Sequence, residues 1–138
     1  MWKTFAKQKK IKALTLTELL VVMVIIGILV LLALPNLMPT VTKAKTMEAK
    51  TNLGHLHAMQ EVYNMENSTY SDNLQAIGFE QNKLKTEGGS ALYRFEIISA
   101  SPSAFKARAE AVVDFDKDGV FNVWEIDQDK NLVEVVPD

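Results

Sequence analysis

An α+β fold, a long N-terminal helix packed on a small C-terminal antiparallel sheet, is predicted by three features of the sequence. Residues 14–34, LTLTELLVVMVIIGILVLLAL, form an apolar stretch that carries one charge, Glu18. Beyond Pro35 and Pro39, Ala49, Leu53, Leu56, Met59 and Tyr63 recur at helical spacing. In the C-terminal third the period changes to two: Tyr93, Phe95 and Ile97 alternate with Arg94 and Glu96, and Phe105, Ala107, Ala109 and Ala111 alternate with Lys106, Arg108 and Glu110.

The chain begins with a basic leader, residues 1–13, MWKTFAKQKKIKA, holding five lysines and no acid. Lysines just before an apolar span stay on the cytoplasmic side, which directs the remainder across the membrane. Residues 14–35 follow as the transmembrane half of a helix expected over 14–66. At 1.5 Å per residue, residues 14–34 cover roughly 30 Å, enough to cross the hydrocarbon. Pro35 and Pro39 each remove a backbone donor, so kinks are expected there and not a stop. Read as continuous, the helix is about 80 Å long, far beyond what a small domain needs.

Residues 67–91 have turn formers at both ends and weak periodicity, and read as a connecting loop. Residues 92–138 read as an antiparallel β-meander, with DKDG and DQDKN turning the chain before FNVWEI and LVEVV. So small a sheet needs a cover for its apolar face, and the stripe over residues 49–63 is the candidate.

Composition excludes several classes. The 138 residues contain no cysteine, which removes disulfide and thiolate chemistry. Outside the leader the chain carries ten basic and seventeen acidic side chains, a net of −7, so its body repels nucleic acid. His55 and His57 stand two apart on a helix, point to different faces and cannot share a metal. No serine lies in a G-x-S-x-G elbow. The expectation is a non-enzyme.

Glu18 is the outlier. A carboxylate so near the hydrocarbon costs about 2.5 kcal/mol or more toward the bilayer centre. A secretory signal peptide has a shorter core without an acid inside it, and a plain signal anchor leaves Glu18 without a role.

KALTLTELLVVMVIIGILVLLALPNL resembles the class III signal of type IV pilins and of the pseudopilins of type II secretion systems. The likeness is strong over residues 12–37 and extends more weakly to Tyr70. It implies a pilin-like fold and cleavage by a prepilin peptidase between Ala13 and Leu14, on the cytoplasmic side, with methylation of the new amine. Glu18 then becomes the fifth mature residue and Pro35 the helix-kinking proline. Ala13 stands where the family has glycine, Leu14 where it has phenylalanine, and Thr17 where it has a large aliphatic. The resemblance further implies a single-pass inner-membrane protein with a periplasmic C-terminal domain. It is added to a filament, with further copies and minor pilins or pseudopilins, by an assembly ATPase and a platform membrane protein. Glu18 would meet the amine of a neighbouring Leu14, and since an unpaired charge there costs several kcal/mol, the pair enforces register. A secretion pseudopilus, an extended surface pilus and a non-polymerising membrane-anchored calcium-binding protein all remain open. The short chain without cysteines favours the first.

A second motif is independent of the helix. In DFDKDGVFNVWE, Asp114, Asp116, Asp118, Val120, Asn122 and Glu125 fall on positions 1, 3, 5, 7, 9 and 12 of a calcium loop, with Gly119 at position 6. Its flanks read as strands and not as the helices of an EF-hand, and the alternative is an acidic hairpin turn. Calcium is the expected cofactor.

Overall fold

The structure, a computed structural model, describes residues 12–138; leader residues 1–11 lie outside the described residues. It divides into two compact units, Met1–Leu37 and Met38–Asp138, which are taken separately.

In the first unit the helix α1, Leu16–Asn67, begins after Thr15. Its segment Leu16–Pro35 is long and apolar enough to cross a membrane, with no part of it buried. Every large apolar side chain there, from Leu16 at 88% exposure to Val30 at 49%, lacks cover from its own chain. The helix assignment continues through both Pro35 and Pro39, so neither proline ends it.

In the second unit the rest of α1 turns amphipathic. Ala49, Leu53 and Leu56 are fully buried, while Met47, Val62 and Met65 stay exposed. The helix ends where Ser68 adopts a left-handed conformation (φ 57°), its N–H donating to the Asn64 carbonyl at 2.7 Å. The loop that follows is held to the helix by the buried Gln60. Gln60 Nε2 donates to the Ser71 carbonyl at 2.7 Å, and Gln60 Oε1 accepts the Ser71 N–H at 3.0 Å.

Four antiparallel strands, β1 (Tyr93–Ala100), β2 (Phe105–Ala111), β3 (Val123–Asp127) and β4 (Leu132–Val136), form a sheet in sequence order. The inward residues Tyr93, Phe95, Phe105, Ala107, Ala109, Ala111 and Ile126 share one core with Ala49, Leu53 and Leu56 of the helix. The alternation read from the sequence therefore faces the sheet onto the helical stripe, as the predicted α+β fold requires. Small alanines along β2 leave room for the leucines of α1, and this packing supplies most of what a domain of this size gains on folding. Gln81 covers part of the open edge of β1: its Oε1 accepts the Phe95 N–H at 2.9 Å and its Nε2 donates to the Tyr93 carbonyl at 3.1 Å.

Candidate functional site

The first candidate site is the N-terminus of α1. Ala13 and Leu14 are exposed and precede the helix, so the expected cleavage junction is accessible. Thr15 and Glu18 form a reciprocal cap. The Thr15 N–H donates to Glu18 Oε2 at 2.8 Å, the Thr15 hydroxyl donates to the same oxygen at 3.0 Å, and the Glu18 N–H donates to Thr15 Oγ1 at 3.2 Å. This is the capping box of a T-x-x-E sequence. Its signal in the sequence is T-L-T-E, residues 15–18. The cap turns the carboxylate back toward residue 14 and engages only one of its oxygens. Among the described residues, Oε1 has no partner. Pro35 lies within α1.

The second candidate site is the loop between β2 and β3. Three carboxylates converge there, those of Asp114, Asp116 and Asp138, with one oxygen of each within 4.8 Å of the others. Asp114 is fixed by the loop backbone: its Oδ1 accepts the Lys117 N–H at 2.5 Å and its Oδ2 the Gly119 N–H at 2.7 Å. Lys117 (φ 67°) and Gly119 (φ 91°) adopt left-handed conformations that curl the chain around it. Asp138 reaches the loop from beyond β4, its Oδ2 accepting the Phe115 N–H at 3.0 Å and its Oδ1 the Asp116 N–H at 3.2 Å.

Three of the remaining expected ligands, Asp118, Asn122 and Glu125, have other partners. Asp118 Oδ1 accepts the Val120 N–H at 2.7 Å within its own turn. Asn122 is fully buried; its Oδ1 accepts the Tyr93 hydroxyl at 2.6 Å and Trp124 Nε1–H at 2.7 Å. Asn122 Nδ2 donates to Glu134 Oε1 at 2.8 Å and to the Val136 carbonyl at 2.9 Å, so all four of its bonding positions are used. Glu125 Oε1 takes Arg108 Nη2 at 2.8 Å and Nε at 3.0 Å, and Lys106 Nζ lies 3.7 Å from its Oε2. The reason is the strand. In an EF-hand a helix brings the glutamate at position 12 back to the loop. Here that position lies in β3, opposite Arg108 of β2, and faces a cationic neighbour. Asp138, by contrast, is 20 residues beyond Asp118, outside any loop spacing; no local signal marks it.

Electrostatics separates the two loop aspartates. Loss of water contact raises the Asp116 carboxyl, reinforced by the nearby carboxylates of Asp118, Asp138 and Asp114 and opposed by the Asp118 N–H bond. At Asp114 the same desolvation is outweighed by backbone donors, chiefly Gly119 and Lys117, and its carboxyl is lowered. No cationic side chain pairs with Asp114, Asp116 or Asp138 among the described residues. Hard oxygen donors without an internal counter-charge fit a cation such as calcium. His55 is exposed, whereas His57 Nε2 lies 3.0 Å from the Gln128 carbonyl.

Together these features define a chain with an uncovered apolar helix, a carboxylate in its first turn and a small sheet domain. Residues 8–34 match the family described as the prokaryotic N-terminal methylation motif. The chain is 43% identical over 68 residues to the type IV major pilin protein PilA of Myxococcus xanthus, covering 49% of this chain and 31% of that one. It is 34% identical over 71 residues to the type II secretion system core protein G of Dickeya chrysanthemi, covering 51% and 46%. It is 32% identical over 94 residues to the type IV wide pilus major component PilA4 of Thermus thermophilus, covering 68% and 69%. The matches thus span less than half the length of the first two relatives and about two thirds of the third. The chain belongs to the family of type IV pilins and type II secretion pseudopilins, whose members are structural subunits and not enzymes.

Proposed function

We propose that the chain is a type II secretion pseudopilin, cut between Ala13 and Leu14 and polymerised through its N-terminal helix. The observation that carries this reading is the Glu18 carboxylate, held by Thr15 at the tip of a bare apolar helix with one oxygen left for a partner. Cleavage turns the backbone nitrogen of Leu14 into an amine, methylated in this family. In a stack of subunits that cation of one copy meets Glu18 of the next, away from water, where leaving either charge alone costs several kcal/mol. The prepilin peptidase, assembly ATPase, platform protein and minor pseudopilins act on this same N-terminal half, and the chain sits in the inner membrane with its sheet domain periplasmic before assembly. The secretion reading is supported by relatives named as the core protein G of secretion systems. The likeness to PilA and PilA4 supports an extended pilus as the second reading.

Calcium at Asp114, Asp116 and Asp138 is part of the proposal. When bound it neutralises three carboxylates, while the chain's own backbone N–H groups orient Asp114 and Asp138 toward it.

Two measurements test the reading. Mass spectrometry of the mature protein should find Leu14 as the first residue with the whole apolar run retained; a start at Met1 or near Leu34 removes it. Glu18→Gln keeps an acceptor for Thr15 and removes the charge, so the subunit should stay in the membrane, folded, and fail to enter filaments. Filaments of normal yield from Glu18→Gln would reduce Glu18 to a helix cap. Deletion of the chain should trap secreted proteins in the periplasm, whereas loss of surface fibres with secretion intact would favour the pilus.

A further inference from the structure

Within the second unit, the loop between β2 and β3 lies at the end where the unit's helix begins. Glu48 Oε1 accepts the Leu92 N–H at 2.9 Å, just before β1, and Tyr93 of β1 pairs with Ala111 at the end of β2. The Ala111 N–H donates to the Asn122 carbonyl at 2.8 Å and closes the loop there. Lys45 Nζ stands 4.8 Å from the centroid of the Phe115 ring, which ties the helix to the loop itself. The other two turns of the sheet lie at the opposite end. The Pro102 carbonyl accepts from Asn64 Nδ2 at 3.3 Å, and the Gln128 carbonyl lies 3.0 Å from His57 Nε2. The loop therefore shares the end at which the chain enters from the membrane span. Lys45 is the tenth residue after Pro35, where the span ends, about 15 Å of helix.

This loop exposes two adjacent apolar side chains. Val120 is 40% exposed and Phe121 42%, although the next residue, Asn122, is fully buried. Neither belongs to the core that α1 and the sheet share. Contiguous apolar surface rimmed by charge marks a contact, and here the rim includes cations. Lys43 and Lys117 are exposed, and no carboxylate pairs with either among the described residues. Apolar side chains beside lysines are the composition of a segment that lies in a lipid headgroup layer. The span selects lipid over a soluble partner, because a surface reached through ten residues of chain is present at high effective concentration.

We propose that, with calcium bound, this loop docks on the anionic lipid surface of the membrane that the span crosses: Val120 and Phe121 enter the headgroup layer, and Lys43 and Lys117 meet its phosphates. The inference rests on the calcium reading and names the partner of that site. Without a cation the carboxylates of Asp114, Asp116 and Asp138 repel the same phosphates, so calcium is the condition for contact. The contact belongs to the subunit in the membrane, before assembly. It accounts for two apolar side chains that the fold itself leaves unused.

The full chain, which has no cysteine of its own, is reconstituted for the test in vesicles of phosphatidylcholine, alone or mixed with phosphatidylglycerol. Single cysteines at Val120 and, as the control, at Ser103 in the exposed β1–β2 turn carry an environment-sensitive dye. In mixed vesicles calcium should shift the Val120→Cys emission to the blue and raise its quenching by a brominated lipid severalfold, and a chelator should reverse both. Ser103→Cys should not respond. Added to Val120→Cys, Phe121→Ser should lose most of the response, as should Lys43→Gln with Lys117→Asn, asparagine being at ease in the left-handed backbone there. Both should keep the melting temperature and its rise with calcium. No response at Val120→Cys, or an equal one in phosphatidylcholine alone, overturns the inference. A blue shift without lipid quenching assigns the pair to a protein partner, a second copy included, and overturns it as well. If calcium leaves the melting temperature of the unsubstituted chain unchanged, the calcium reading fails and this one falls with it; a normal calcium shift without lipid contact disposes of the docking alone.

Discussion

Asp116 illustrates how a single side chain can oppose the fold that holds it. Its carboxyl is raised, by desolvation first and then by Asp118, Asp138 and Asp114. A carboxyl raised on folding binds more protons folded than unfolded, so it withdraws stability as the pH rises through the ordinary aspartate range and withdraws all of it at neutral pH. Asp114, lowered by its backbone donors, has the opposite sign: its contribution is present above the unfolded value and is lost as the pH falls through the folded one. Asp116→Asn should therefore raise the melting temperature at pH 7 without calcium, because the amide oxygen still accepts the Asp118 N–H, and should remove the gain that calcium confers. A calcium-dependent shift that survives Asp116→Asn would take this residue out of the site. Asp138→Ala should abolish the shift as well, whereas Glu125→Ala should keep it, losing only the partly exposed pairs with Arg108 and Lys106, each of which contributes about 1 kcal/mol or less. A site that occupied the full loop spacing would give the reverse for Glu125. Titration of calcium followed by thermal unfolding reads all of these; about 2.7 kcal/mol is expected at a hundredfold excess over Kd.

Strands and helices decide which of these side chains can meet. Asn122 ends the acidic loop and begins the approach to β3, and its four hydrogen bonds tie β1, through Tyr93, to β3 and to the end of β4. Burial pushes the Tyr93 phenol upward, with Asp138, Glu48 and Glu134 adding to it, so its hydroxyl stays protonated and donates. Asn122→Ala should cost about 3 kcal/mol, since the Tyr93 hydroxyl and the Trp124 N–H lose their acceptor inside the core. Urea unfolding measures this. A loss below 1 kcal/mol would show that water replaces the amide. The same change should weaken calcium binding, because the Asn122 bond to the Val136 carbonyl holds the strand end from which Asp138 projects. In sequence Asn122 reads as a loop ligand; in the fold it is a core residue with a structural role. On the helix, the T-x-x-E cap is the converse case, a local signal fully present in four residues.

For the molecule as a whole, the division after Leu37 predicts separable behaviour. A chain expressed from Thr40 onward keeps the helical cover of the sheet and should be monodisperse by gel filtration. One that starts after Glu66 exposes Phe105, Ala107, Ala109 and Ile126 and should aggregate. Equal behaviour of the two would mean that the helix does not cover the sheet. Much of this was legible beforehand. The apolar span, the amphipathic stripe, the period-two strands and the N-terminal methylation motif are all written in neighbouring residues, because hydrophobic periodicity and local signals act over a few positions. Asp114 and Asp116 belonged to the same legible part. The alternation of β3 was legible too, yet it did not reveal that Glu125 would stand opposite Arg108, since register is a relation between strands. Nor could it bring Asp138 to the loop. By itself, then, the sequence determined the elements, their order and the apolar tip with its carboxylate. The tertiary structure alone decided which acids share a space, because that depends on long-range pairings whose partners lie tens of residues apart.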